Sequence, residues 1–143
     1  MAEPVSRLPS KLTLEVVTPE GLLLRELVDE VIAPGSEGYF GVRPGHTPFL
    51  SALGLGEISY RVGTLWSQLT CFWGFCEVLP DRVNILAELG ERAEQIDAAR
   101  AEAARSRAEA QLKAIRAEAD YEQVHQAYVR AVTRLAVARK HRA

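Results

Sequence analysis

Apolar and polar residues alternate in several short runs along the first ninety residues. Residues 12–17 read Leu-Thr-Leu-Glu-Val-Val, with an apolar side chain at every second position, which is typical of a half-buried strand. Similar short runs follow, separated by glycine and proline, at 22–24, 28–32, 57–62, 65–72, 75–79 and 83–87. This spacing predicts an all-β sandwich or barrel over residues 12–90.

The pattern changes abruptly after Gly90. No glycine or proline occurs from Glu91 to the end, and alanine becomes dominant, so residues 91–143 are predicted to form two helices. The first begins at Asp97, which can cap it, and runs to about Ile115. The second begins near Asp120, where Asp-Tyr-Glu-Gln has capping-box spacing. The chain is therefore predicted to be α+β with segregated parts, preceded by an extension at residues 1–11 to which no role is assigned.

Each helix has an apolar stripe on one face. The first consists of Ala101, Ala104, Ala108, Leu112 and Ile115, and the second of Tyr121, Val124, Tyr128, Ala131, Leu135 and Ala138. We expect an antiparallel hairpin, although alanine and glutamate at 116–119 make a weak break. Because alanines bury little area, the docking of this hairpin is predicted to be only marginally stable.

Composition allows one core of ordinary size. The 143 residues are 48% apolar and 25% charged, with a net charge of −2, so there is no global electrostatic argument for binding nucleic acid or a membrane. The last twenty residues hold five basic side chains and no acid. Two interpretations stay open: this segment meets an acidic partner, or it is a solvated helix end that complements its own dipole.

Several kinds of site are not predicted. Cys71 and Cys76 are too few for a disulfide framework and are expected to be buried as small apolar groups. The three histidines are scattered, so no metal site is expected. The sequence has no signal-peptide core and no apolar run of the ~20 residues that a membrane span needs, which predicts a soluble, cytoplasmic protein. No nucleophile elbow or phosphate loop occurs, so no catalytic residue is assigned.

One polar group of residues carries candidate chemistry. Asp97, Arg100 and Arg107 lie within roughly 80° around an ideal helix. Arg130 and Arg134 share a face of the second helix. In an antiparallel hairpin the four guanidinium groups would converge and could bind a polyphosphate. The alternative is that both helix faces are solvated and salt-bridged.

The loop at residues 35–50, Gly-Ser-Glu-Gly-Tyr-Phe-Gly-Val-Arg-Pro-Gly-His-Thr-Pro-Phe-Leu, resembles the signature of the epsilon subunit of bacterial F-type ATP synthases. The opening strand, the segment at 74–83 and the sequence Ile-Asp-Ala-Ala-Arg-Ala at 96–101 also stand where that family has them. The resemblance covers about residues 12–140.

The resemblance implies an N-terminal β-sandwich of about ten strands followed by a C-terminal antiparallel two-helix hairpin. It implies a non-catalytic central-stalk subunit, peripheral on the cytoplasmic face of the bacterial plasma membrane, that contacts the gamma subunit and the c-ring. The contact residues it implies are Ser36, Glu37, Tyr39, Val42, Pro44 and His46. The extended hairpin inhibits ATP hydrolysis near the alpha and beta subunits, through the basic residues Arg130, Arg134, Arg139 and Lys140.

No required cofactor is implied, but in some members the folded hairpin binds ATP as a regulatory ligand. The matching positions here are Glu91, Ile96, Asp97, Arg100, Ala101, Arg107, Arg130 and Arg134. The sequence departs from the family at Trp73, where many relatives have glycine, and at Tyr39, which is often acidic. Two other functions remain open: a β-sandwich adaptor with a dimerising coiled-coil tail, and a free-standing nucleotide sensor.

Overall fold

Seven strands followed by two helices make up the part of the chain that the computed structural model describes, residues 8–115 and 118–142. The strands are β1 (Leu12–Thr18), β2 (Gly21–Val28), β3 (Glu30–Gly35), β4 (Gly38–Val42), β5 (Phe49–Val62), β6 (Leu65–Leu79) and β7 (Arg82–Arg92). A 3₁₀ turn (Ala93–Gln95) then leads into α1 (Ala98–Ala114) and α2 (Glu118–Arg142). The predicted order, strands first and helices last, is confirmed.

The strands form one continuous sheet in the order β2-β1-β7-β6-β5-β3-β4. β1 runs parallel to β7, and every other pair in this order is antiparallel. β2, at one end of the sheet, also contacts the inner strand β5, so the sheet folds over a common core as a sandwich. The alternation at 12–17 is confirmed, since Leu12, Leu14 and Val16 are fully buried in that core.

The sheet has seven strands rather than about ten because β5 and β6 are long and bent. Cys71 and Cys76 both lie in the core although they are an odd number of residues apart, so the alternation along β6 changes phase between them. Trp73 (φ +65°) and Gly74 (φ +145°) supply this change. The two predicted runs at 65–72 and 75–79 are therefore halves of one strand. The bend is built with Trp73 in the left-handed region, which glycine adopts more easily.

The start of the first helix agrees with the prediction, whereas the start of the second helix does not. Asp97 is the N-cap of α1, and its side chain accepts a hydrogen bond of 3.0 Å from the backbone N–H of Arg100. The first helix ends at Ala114, after which Ile115 is extended. The second helix already includes Glu118, so Asp120 lies inside it and the predicted capping box there is wrong. Residues 116 and 117 of the predicted break lie outside the described residues.

The two helices pack together mainly through alanines. Ala101 and Ala108 of α1, and Ala131 and Ala138 of α2, are buried. Ala98 and Ala138 line one cavity while Ile115 and Val124 line another, so the helices run antiparallel. The second helix also packs on β5 and β6, and its Val137 is fully buried although it lies outside the predicted stripe.

Candidate functional site

A cavity of about 480 Å³ lies where the end of β7, the start of α1 and the middle of α2 meet. Its walls are partly polar. The lining residues are Glu91, Gln95, Ile96, Asp97, Arg100, Ala101, Ala104, Arg107 and Arg134.

Local backbone structure places the polar groups around this cavity. Glu91 lies near the end of β7, where it pairs with Thr70 of β6. The Asp97 cap fixes the start of α1 and thereby orients the helix face that carries Arg100 and Arg107. From α2, Arg134 reaches across, and its Nε donates a hydrogen bond of 2.8 Å to Glu91 Oε1.

Seven of the eight residues matched by the family resemblance to an ATP site line this cavity. The exception is Arg130, which is half-buried on α2 but is not part of the lining. Gln95 and Ala104 line the cavity and were not predicted. The predicted convergence of guanidinium groups therefore holds for three arginines.

The charges at the cavity favour an anionic ligand. Arg134 is already paired with Glu91, whereas Arg100 and Arg107 form no ion pair within residues 8–115 and 118–142. Two unpaired guanidinium groups on one wall can bind phosphate oxygens through charge-assisted hydrogen bonds. Asp97 uses one carboxylate oxygen for the helix cap and keeps acceptor capacity for a polar group of a ligand.

A larger and more apolar cavity, about 600 Å³, lies on the other flank of the helix pair. Here Arg105 is hydrogen-bonded to Glu102 and, at 2.7 Å, to Glu109. The hydrogen bond from Arg105 holds the pKa of the Glu102 carboxyl below its usual range. This flank holds none of the predicted ligand residues, and its arginine on α1 is already paired.

Two residues of the sandwich, Phe72 and Glu57, contact basic side chains of α2, and Thr70 supports Glu91 from within the sandwich; the sequence reasoning missed all three. Thr70 Oγ1 donates to Glu91 Oε1 at 3.1 Å, and the Arg134 guanidinium lies 5.0 Å from the centre of the Phe72 ring. Glu57 accepts a hydrogen bond from Lys140. For Thr70 and Phe72 the available signal was the mostly apolar run Leu-Thr-Cys-Phe at 69–72, which is consistent with a strand covered on both faces, as the structure shows it to be.

The loop that carries the family signature is partly exposed. Ser36 and Glu37 form the exposed turn between β3 and β4. Tyr39 is 58% exposed, and its hydroxyl accepts a hydrogen bond of 3.1 Å from the backbone N–H of Glu57. Val42, in contrast, is fully buried in the core. Its expected role in partner contact is corrected accordingly, because its side chain supports the loop from inside.

The rest of this loop is held by backbone hydrogen bonds. Gly45 N–H donates to the carbonyl of Pro80 at 2.8 Å, and His46 N–H donates to the carbonyl of Arg43 at 3.2 Å. The His46 ring Nδ1 donates a hydrogen bond of 2.6 Å to the carbonyl of Thr47. Pro44 and His46 are half-buried, so the loop presents a shaped surface rather than a free chain.

Metal ligands, thiols and apolar helices are the other features of interest in the described part of the chain. No three histidine, cysteine or carboxylate side chains there are grouped so as to hold a metal ion. Burial raises the pKa of Cys71 and of Cys76 to about 12, so both thiols stay protonated. Neither described helix has the length and apolar character needed to cross a bilayer.

Comparison with known proteins covers nearly the whole chain. Residues 11–93 match the family described as ATP synthase, Delta/Epsilon chain, beta-sandwich domain, and residues 94–139 match its long alpha-helix domain. The chain is 49% identical over 130 residues to the ATP synthase epsilon chain of Syntrophobacter fumaroxidans, covering 91% of this chain and 97% of that one.

A second relative gives a similar result. The chain is 50% identical over 129 residues to ATP synthase epsilon chain 2 of Syntrophotalea carbinolica, covering 90% of this chain and 94% of that one. Among solved structures, a chain in the mitochondrial ATP synthase of Euglena gracilis has a TM-score of 0.78 at 22% identity. That similarity covers 94% of this chain and 86% of the other, and it shows the fold alone.

Proposed function

Because this chain belongs to the ATP synthase delta/epsilon chain family, we propose that it is a non-catalytic central-stalk subunit of a bacterial rotary ATP synthase. The observation that carries this proposal is that both the sandwich and the helices match epsilon chains at about half identity over nine-tenths of the sequence. In this role the subunit couples ion flow to ATP synthesis. We propose that it lies on the cytoplasmic face of the plasma membrane, as a peripheral part of the complex.

An exposed apolar row on the sandwich supports partner binding. Leu22, Val17, Leu86 and Phe75 are in register across four adjacent strands, so their side chains share one face. Leu22, Leu86 and Phe75 are each 60% exposed. A continuous apolar row of this kind is typical of a protein interface. We assign it to stalk contact, with the gamma subunit and the c-ring as the proposed partners.

The signature loop supplies a second proposed contact. Ser36, Glu37 and Tyr39 project at the β3–β4 turn, and Pro44 and His46 form the firmer wall behind it. One backbone hydrogen bond, from Gly45 to Pro80, ties the loop to the turn between β6 and β7. This geometry suits a contact with a rotating partner.

The C-terminal helices are the proposed inhibitory element. Most of the buried residues in the hairpin are alanines, so its apolar hold on the sandwich is small. Arg130, Arg134, Arg139 and Lys140 give α2 a basic surface without a nearby acid on the same helix turn. In an extended hairpin, near the alpha and beta subunits, these cations would meet an acidic segment of the beta subunits, and hydrolysis would slow.

Regulatory ATP is the proposed ligand of the 480 Å³ cavity. Arg100, Arg107 and Arg134 stand around it, and Asp97 and Gln95 add hydrogen-bonding groups for a base or sugar. A ligand that binds only the folded hairpin would stabilise the docked state by mass action. No cofactor is required for the structural role.

The dimerising adaptor is less well supported. The residues of its coiled-coil seam, Ala131 and Ala138 among them, are buried within one chain against α1 and the sandwich. A second copy could use this seam only if the hairpin opened. A monomer in solution that co-purifies with a gamma-type subunit would therefore favour the stalk function.

The test is the hydrolysis rate of the reconstituted complex. A chain truncated after Gln95, which keeps all seven strands, is expected to assemble and to give faster ATP hydrolysis than the full-length chain. Co-purification with the complex is the control for folding. An assembled truncated complex that hydrolyses ATP at the full-length rate would contradict inhibition by the helices. ATP binding without any effect on hydrolysis would favour the free-standing sensor.

A further inference from the structure

Two carboxylates of the sandwich pair with basic side chains in the C-terminal half of α2. Glu91 on β7 accepts a hydrogen bond of 2.8 Å from Arg134 Nε, and Glu57 on β5 accepts one from Lys140 Nζ. Both carboxylate side chains are largely buried, at 22% and 17% exposure. Partial burial strengthens such pairs relative to solvent-exposed ones.

The apolar contact at the same place is small. Val137 is fully buried, and Phe72 is covered on the face where the Arg134 guanidinium rests 5.0 Å from its ring centre. The other buried side chains of α2 are Ala131 and Ala138. Since two larger apolar groups and two alanines give limited area, the two ion pairs add to an apolar contact of modest size.

Glu91 has a hydrogen-bond partner within the sandwich that does not depend on α2. Thr70, the one fully buried polar side chain among the described residues, donates its hydroxyl to Glu91 Oε1 at 3.1 Å. If Arg134 withdraws, Glu91 keeps this hydrogen bond and gains water. No buried polar group of this pair is left without a partner, so separation avoids the main penalty of breaking a buried ion pair.

The four basic residues of α2 fall into two classes. Arg134 and Lys140 are paired with the sandwich, while Arg130 and Arg139 form no ion pair within the described residues. The docked hairpin therefore withholds two of the four cations from any acidic partner and leaves two available.

We propose that Glu57 and Glu91 form an acidic latch that holds Lys140 and Arg134 in the docked hairpin and competes for them with an acidic partner surface. On release, Lys140 and Arg134 leave Glu57 and Glu91 and pair with carboxylates of the partner. In the isolated chain, where no partner is present, salt weakens the latch and favours release. The latch itself is a property of the isolated chain. Only the competition rests on the proposed inhibitory function.

The latch is tested by amide hydrogen exchange of α2 in the isolated full-length protein. Lys140→Glu and Glu57→Lys are each expected to speed exchange in α2 about fivefold. This is the change in the opening equilibrium expected when one partly exposed ion pair is lost. The double variant Glu57→Lys/Lys140→Glu restores the pair with reversed charges, so its exchange should return to the wild-type rate. Raising the salt concentration should speed exchange in the wild type.

Two further variants separate the loss of a latch charge from a general disruption of the fold. Glu91→Gln keeps an acceptor for Thr70 but removes the charge, so it should speed exchange in α2 while β1 and β3 keep wild-type protection. Arg139→Gln, the matched control on the same helix, should leave exchange unchanged. The latch is overturned if the charge swap exchanges as fast as the single variants, or if Glu91→Gln and Arg139→Gln behave alike.

Hydrolysis by the reconstituted complex separates the latch from the proposed function. Arg139→Gln should weaken inhibition without changing exchange, because this cation is available only to the partner. If exchange follows the latch predictions while no arginine variant changes hydrolysis, the latch stands and the inhibitory function fails. If Arg139→Gln weakens inhibition but the charge swap restores nothing, the latch fails and the function stands.

Discussion

The carbonyl oxygen of Leu86 occupies the space that a Cβ atom on Gly74 would need. An ideal Cβ at this position lies 2.1 Å from that oxygen, and the φ of Gly74 is +145°, which side-chain-bearing residues rarely adopt. Because this oxygen belongs to the backbone of the neighbouring strand β7, a side-chain rotation cannot relieve the clash. The bend of β6 thus requires glycine at position 74, because the Leu86 carbonyl leaves no room for a side chain.

Gly74→Ala is expected to lower the free energy of unfolding by about 3 kcal/mol or more, since strain and a backbone clash act together. Urea denaturation measures the change. Gly63→Ala is the matched control, because Gly63 also has a positive φ (+63°) but open space around it. It should cost only about 1 kcal/mol. Equal losses in the two variants would show that the contact with Leu86 does not matter.

Trp73 carries the other half of the bend in a strained conformation. Its φ of +65° costs a residue with a side chain about 1 kcal/mol relative to glycine. Trp73→Gly is therefore expected to have a free energy of unfolding about 1 kcal/mol higher than that of Trp73→Ala, and to unfold at a higher urea concentration. The comparison isolates the backbone term, because both variants lose the indole ring. The idea fails if the alanine variant is as stable as the glycine variant.

Asp97 connects the local helix start to the candidate cavity. Asp97→Ala removes the acceptor for the Arg100 N–H and should destabilise the first turn of α1 by about 1 kcal/mol. Asp97→Asn keeps an acceptor and should lose little. Hydrogen exchange of the Arg100 amide measures the effect directly. An unchanged rate in the alanine variant would show that the Asp97 side chain does not stabilise the start of α1.

Binding of magnesium-ATP should depend on the unpaired arginines of the 480 Å³ cavity. Arg100→Ala and Arg107→Ala are each expected to weaken binding about tenfold or more in calorimetric titration, since each removes a charge-assisted contact. Arg105→Ala is the control, because Arg105 faces the other flank and is paired with Glu102 and Glu109. Equal weakening in all three variants would place the ligand elsewhere.

The buried thiols predict a loss of stability at alkaline pH. The pKa of Cys71 and Cys76 is raised from 9.0 to about 12 in the folded chain, so the unfolded chain loses these protons first. The stabilisation is complete below pH 9 and is lost as the pH rises toward 12, by up to about 1.4 kcal/mol per pH unit for each thiol. Urea titrations at several pH values measure the slope.

A variant with both cysteines replaced by alanine provides the control for that slope. It keeps Tyr60, whose pKa is also raised by burial, and therefore retains part of the alkaline dependence. A slope identical to that of the wild type would mean that the thiols do not ionise differently in the two states.

Element order and helix start could be predicted from the sequence because both depend on near neighbours. Alternation at Leu12, Leu14 and Val16 follows from the two-residue period of a strand, whichever strands lie beside it. The Asp97 cap joins residues three apart. The convergence of Arg100 and Arg107 is a matter of helix geometry alone, and the structure confirms that they line one cavity.

The tertiary structure decided the features that join distant parts of the chain. Glu91 and Arg134 are 43 residues apart, and Glu57 and Lys140 are 83 apart. Their pairing depends on strand register and on where α2 rests. The buried position of Val42 and the continuity of β6 through Trp73 depend in the same way on what packs from the other side. Local periodicity fixes which face a residue is on, but only packing fixes what that face meets.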